Sequence, residues 1–356
     1  MPKSLLRVIS FAVWLNASVC FAQEVRVQPA EEVVFPTQAD GNSPFFWRSG
    51  RLHLYTSIAW PLMISSAADL FGGWETGNVA LENRAPMAYW AEAAWVADDG
   101  TVFGWYHHEP LDMYPGSMLT APKIGAFISF DGGWTIQDLG IVLESGDPLD
   151  PGAQNGFFTG GHGDFSVVLD RQREYFYFFF TNYGGPAETQ GVAVARMAFR
   201  DRFRPMGRVQ KYHEGRWAEP GVGGRLTPIL PAVRAWRHKD PDSFWGPSVH
   251  WNTYLSCFVM VLNHAAGEPG WAQEGIYITY GRDLSRPDSW AVPVKILDGA
   301  ELPNWHSFYP QLVGVDPGGT DTLAGHTARL FVNGTSWWEV VFSVGEGGVR
   351  PRPGGR

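Results

Sequence analysis

Cysteine is nearly missing: the 356 residues hold only 2. Cys20 falls within an N-terminal segment expected to be removed, which leaves Cys257 and excludes an internal disulfide framework. A chain of this length can bury enough core without staples, whatever the redox compartment. Long apolar runs are missing too. Val8 to Val19 is largely apolar, yet too short for a membrane span of about 20 residues. Clustered Lys and Arg are absent and the net charge is -9, which excludes a phosphate-binding, nucleic-acid surface. Convincing amphipathic helices do not occur either. The 42 Gly and 26 Pro explain why, since both break helices.

The start of the chain reads as an export signal. Lys3 and Arg7 form a positive beginning, an apolar stretch follows, and Ala22 offers a small residue before Gln23. Val19 is bulkier than a lipidation signal accepts before Cys20, so ordinary cleavage is expected over a lipid anchor. The expected product is a soluble monomer, secreted or periplasmic, with residues 1–22 removed. Residues 345–356, where Val349 is the only large apolar residue, are expected to be a disordered tail.

What is abundant is aromatic residues, 15% of the chain with 17 Trp. They favour strands and also suit sugar-stacking surfaces. Arg51 to Thr56 and Gly191 to Arg196 alternate as half-buried strands do, and Glu174 to Phe180 is a continuous aromatic run expected of a strand buried on both faces. Turn signals separate such runs at Asp98-Asp99-Gly100, Gly184-Gly185-Pro186 and Asn333-Gly334. Cys257 lies in the apolar run Tyr254 to Leu262 and reads as a small buried hydrophobe.

A loose repeat selects among all-β folds. Asp40-Gly-Asn-Ser-Pro44, Trp90-Ala-Glu-Ala-Ala94, Gly163-Asp-Phe-Ser166, Trp245-Gly-Pro-Ser-Val-His250 and Phe308-Tyr-Pro-Gln311 each open a strand pair. Their spacing of about 50 to 80 residues suits one four-stranded blade each. The predicted fold is a single-domain, five-bladed β-propeller over residues 40–344. Ser129-Phe-Asp-Gly-Gly-Trp-Thr-Ile136 nearly matches the Asp-box turn of sialidase-like propellers, with Ile136 in place of the last aromatic. That turn is a folding device, in which Asp131 bonds turn amides and Gly133 takes a conformation other residues resist.

In a propeller the first residues of each inner strand reach the mouth of the central channel. Asp40, Glu92 and Asp164 open the first three blades, so they converge without being neighbours in sequence. Three carboxylates placed so can divide glycoside hydrolysis: one activates water, one protonates the leaving oxygen, one positions or tunes. Crowding raises one pKa and supplies an acid near neutrality. Glu92 and Asp164 are the expected catalytic pair, with Asp40 assisting. Each also has a structural reading, Asp40 as a turn residue before Gly41 above all.

These openings, with Gly163-Asp-Phe-Ser-Val-Val168 and Glu274-Gly-Ile-Tyr277, resemble the five-bladed glycoside hydrolases of the arabinanase and β-xylosidase type, loosely from Asp40 to Phe342. The resemblance implies a base in the first blade, a pKa-tuning Asp in the second and an acid Glu in the third. Here Glu92 stands at the Asp position and Asp164 at the Glu position.

Trp105-Tyr-His-His-Glu-Pro110 is the densest polar cluster. On a strand His107 and Glu109 share one face and His108 takes the other. His108, Glu109, His162, Arg196, His250, Glu274 and Trp305 are the expected substrate contacts. Arg196 either clamps an acidic sugar or pairs with a structural acid. Trp90, Trp245, Trp251 and Trp305 serve as stacking platforms or as blade packing. No histidine has a recognised metal spacing, so no metal or other cofactor is expected. The expected partner is a carbohydrate, hydrolysed or, in the alternative reading, bound without catalysis. A sialidase-like enzyme fits less well, because its arginine cluster and Tyr-Glu pair cannot be assembled.

Overall fold

The computed structural model describes residues 23–83, 88–267 and 270–344. The expected signal segment and tail lie outside them. Five sheets, antiparallel but for one short parallel pairing in each of two, follow one another along the chain, one per blade of a five-bladed propeller. The only helical segments among the described residues are four 3-10 turns. None of the helices is long and apolar enough to cross a membrane.

The inner strands are Phe45–Arg48, Tyr89–Val96, His162–Leu169, Ser243–Asn252 and Gln311–Gly314, in blades 1 to 5. Each sequence opening lies on or just before one of them. Blade 5 is completed from the other end of the chain, where Gln23–Val34 pairs antiparallel with Thr335–Val344. The blade 5 sheet therefore includes a strand that lies ahead of Asp40. This strand precedes the first repeat opening, and no repeat signal marks it.

Side chains from facing blades form five apolar layers, one at each junction round the ring. A blade is thus buried on both faces. This explains Tyr175–Asn182, whose Phe176 and Phe178 pack toward blade 2 while Tyr177 and Phe179 pack toward blade 4. Cys257 lies in the layer between blades 4 and 5, as the apolar run around it implied.

The turn at Ser129 to Ile136 ties two blades. The Ser129 hydroxyl donates to Asp131 Oδ1 over 2.8 Å and accepts the Gly133 N–H over 2.8 Å, while Thr135 N–H donates to Asp131 over 2.9 Å. Tyr55 of blade 1 donates its hydroxyl to Gly133 O over 2.8 Å. Gly133 has φ 105°, and a Cβ there would lie 2.5 Å from the Tyr55 hydroxyl oxygen. Only glycine satisfies both limits.

Along the channel, the segment entering blade 1 joins its neighbours through polar bonds. Asn42 Nδ2 donates to Phe165 O and Pro247 O, each over 3.0 Å. Gln311 exchanges two bonds with the Ser43 backbone, and the buried Asp321 accepts the Phe45 N–H over 2.8 Å.

Two stability predictions arise here. Asp131→Ala removes the acceptor for two turn donors and should cost about 1–3 kcal/mol in urea unfolding. Burial raises the Asp321 pKa to about 7, against the Phe45 N–H that lowers it. Between about pH 4 and 7 the folded state keeps a proton that the unfolded state has released, so stability falls as pH rises through that window. Asp321→Asn keeps the bond to Phe45 without the titration. Its melting temperature relative to the parent should therefore climb from pH 4.5 to 7.5, and a constant difference would contradict this account.

Candidate functional site

The site forms where blade 2 meets blade 3, beside the entry into blade 1. Glu92 lies on the blade 2 inner strand, His107 on the strand paired with it, and Asp164 on the blade 3 inner strand. Asp164 occupies an irregularity in the ladder between Gly163 and Phe165 and has φ 41°. That left-handed turn of backbone takes two amides out of the regular ladder. Blade 2 side chains receive both: Asp164 N–H donates to His107 Nδ1 over 3.1 Å, and Phe165 N–H donates to Glu92 Oε2 over 2.7 Å.

These three side chains are buried, with Glu92 2%, His107 3% and Asp164 3% exposed. Each presents a donor atom within 4.8 Å of the other two. His107 Nδ1 is 3.5 Å from Glu92 Oε1 and 3.9 Å from Asp164 Oδ1, and its Nε2 is 3.2 Å from Glu109 Oε1. The other oxygen of Asp164 accepts the Tyr183 hydroxyl. Asp40 is exposed as a residue, although its carboxyl is partly desolvated; the Trp90 indole N–H reaches its Oδ2 over 3.4 Å, and Tyr309 lies near it.

Burial and mutual repulsion hold protons in this cluster. Burial raises the Asp164 pKa to about 7, helped by the Glu92 charge and opposed by His107. Burial likewise raises Glu92 and Asp40, with Asp40 and Glu109 adding repulsion respectively. Burial works against a charge on His107, but Glu109, Glu92 and Asp164 outweigh it and raise its pKa. An imidazolium cannot accept the Asp164 amide. In this structure Nδ1 accepts the Asp164 N–H and so carries no proton itself.

The structure brings together Asp40, Glu92, Asp164 and Glu109 of the expected residues. It places the others elsewhere. His108 is buried on the opposite strand face, with Nδ1 3.2 Å from Ala88 O. His162 packs its ring on Phe180, and burial together with Lys211 lowers its pKa. His250 lies deep in the blade 4 inner strand near Phe342, where burial lowers its pKa to about 3. Arg196 is stacked between Tyr175 and Trp217, with ring centroids at 4.3 and 4.7 Å, so it clamps nothing at the mouth. Glu274 pairs with Lys295 and His264. Trp305 is half exposed beside His306, while Trp245 is packed among Trp236, Trp271 and Tyr309. Trp251 lies under Arg171, leaving Trp90 as the tryptophan against the cluster.

Three site residues were not among the expected ones: His107, Tyr183 and Tyr309. Two left a signal. Strand alternation set His107 on the Glu109 face, and Tyr309 belongs to the fifth blade opening.

Comparison with known proteins adds the fold family and no sequence relative. No family model matches the chain, and no curated protein does. A solved structure described as a thermostable family-43 glycoside hydrolase is similar at TM-score 0.51 and 13% identity, covering 91% of this chain and 98% of that one. Another, described as a glycoside hydrolase, gives 0.52 at 12% identity over 92% and 95%. A putative exo-beta-1,3-galactanase from Bifidobacterium bifidum gives 0.50 at 10% identity over 88% and 92%. The chain is thus a distant structural relative of five-bladed propeller glycoside hydrolases. The likeness is one of fold.

Proposed function

We propose that this chain is an exported carbohydrate-active protein that hydrolyses glycosidic bonds at the mouth of its channel. The observation that carries the reading is the convergence of Asp40, Glu92 and Asp164 from three successive blades into one site. Asp40, exposed and bonded by the Trp90 indole N–H, is suited to activate water. Asp164 donates the proton to the leaving oxygen. Glu92 does not suit the role of an inverting base: its donor atom and that of Asp164 lie within 4.8 Å, closer than the roughly 6.5 Å such a pair requires. Glu92 and His107 instead set the orientation and charge around Asp164. This assignment takes Glu92 out of the expected catalytic pair and puts Asp40, the first-blade acid, in its place.

One observation favours a second reading, a propeller that binds a glycan without cleaving it. Glu92 and Asp164 are almost fully buried and bonded to protein groups, as structural acids are.

Hydrolysis of aryl glycosides and polysaccharides by the purified protein separates the two. On the catalytic reading turnover falls at least about 1000-fold in Asp40→Asn and in Asp164→Asn. A chelator-treated parent that is silent, with saturable glycan binding that survives both substitutions, would establish the binding module instead.

A further inference from the structure

Glu92, His107 and Asp164 have a second capacity that acid–base chemistry does not use. Each carboxylate has one oxygen held by the protein and one left facing the histidine. Phe165 N–H holds Glu92 Oε2 and the Tyr183 hydroxyl holds Asp164 Oδ2, so Oε1 and Oδ1 face His107 Nδ1. Behind the ring, Glu109 Oε1 lies 3.2 Å from Nε2. The pair lacks hydrogen-bond geometry, yet a carboxylate at that distance favours a proton on Nε2 and leaves Nδ1, which accepts the Asp164 N–H, as the nitrogen open to a metal ion.

We propose that Glu92 Oε1, His107 Nδ1 and Asp164 Oδ1 bind a divalent first-row transition ion of the zinc type. Tetrahedral zinc with N and O ligands has donor edges of about 3.4 Å. The observed 3.5 and 3.9 Å are close to that span and need a small contraction. The Ser57 hydroxyl lies on the Glu92 side of this space. It is fully buried without a hydrogen-bond partner, and a Cβ on Gly41 would lie 2.5 Å from it and 3.0 Å from Glu92 Oε1. Hydroxyl and carboxylate therefore flank the same space. The need for a cation is also evident. The charges acting most strongly on Glu92 and Asp164 come from His107 and other carboxylates, with no lysine or arginine among them. Glu109, 26% exposed, and the exposed Asp40 give an ion a path from solvent. On entry the ion displaces the Asp164 amide from Nδ1.

The proposal does not depend on the hydrolytic reading. A bound ion occupies Asp164, so hydrolysis belongs to the metal-free protein and zinc silences it. Chelator-treated full chain, titrated calorimetrically with ZnCl2 in the absence of sugar, should take up one ion per chain at micromolar or tighter Kd. MgCl2 should give no heat. His107→Gln should abolish uptake, and Glu109→Gln should weaken it roughly 10- to 100-fold. Zinc should also raise the melting temperature of the parent. Should His107→Gln not fold, Glu109→Gln and X-ray absorption of the loaded parent, showing one nitrogen and two or more oxygens, decide instead. No uptake at millimolar zinc, or uptake unchanged in a folded His107→Gln, overturns the site. Zinc binding by a protein with no glycosidase activity would sink the hydrolytic reading alone.

Discussion

The arrangement of the site depends on one hydrogen bond, from the Phe165 amide of blade 3 to the Glu92 carboxylate of blade 2. Asp164 takes a left-handed conformation, and its neighbours leave the regular ladder there. Buried amides freed in this way need acceptors. Glu92 and His107 supply them, while the carbonyl of Phe165 accepts from Asn42 in the segment entering blade 1. Three blades are thus joined at one peptide. The side chains that would do chemistry are also those that hold the backbone in place, so removing Glu92 strands a buried donor at a cost of about 1–3 kcal/mol. Loss of function at this position is informative only beside a folded-state measurement.

Most of the fold was legible because propeller strands carry their burial pattern openly. The run at Tyr175–Asn182 is apolar at every turn of the pleat, and the ring geometry requires that, with a layer on each side. The repeat openings marked all five inner strands. The closing strand Gln23–Val34 was missed for a related reason. It pairs with the last strand of the chain and belongs to no repeat, so only long-range pairing reveals it.

The site was legible only in part. Carboxylates at strand openings converged as expected, since position on an inner strand fixes distance from the axis. Histidines and arginines misled where chemical type was weighed above strand face. His107 and His108 differ by one residue, which on a strand means opposite faces: one meets Glu92, the other Ala88. Arg196 and Glu274 sit on strands away from the axis, where no side chain can reach the mouth. Tyr183 was invisible for a different reason. It follows its strand into a loop whose path depends on Trp236 and Trp271 packing against it, information that no local pattern holds.

The chemistry of the cluster comes down to what neutralises it. Glu92 and Asp164 are buried beside each other, with Glu109 and Asp40 near and one imidazole between them. Full ionisation would place several like charges in a poorly solvated space, which proteins avoid by keeping protons or by taking up a cation. Protons make Asp164 an acid near neutrality and suit bond cleavage. A metal ion uses the same oxygens and suits binding, with the histidine as its fixed point. The Asp164 amide holds Nδ1 toward the acids, and the Glu109 carboxylate lies behind the ring, 3.2 Å from Nε2. Proton and ion are therefore competing occupants of a single site, and the balance between them is set by pH, by metal concentration and by the cost of releasing the Asp164 amide from Nδ1.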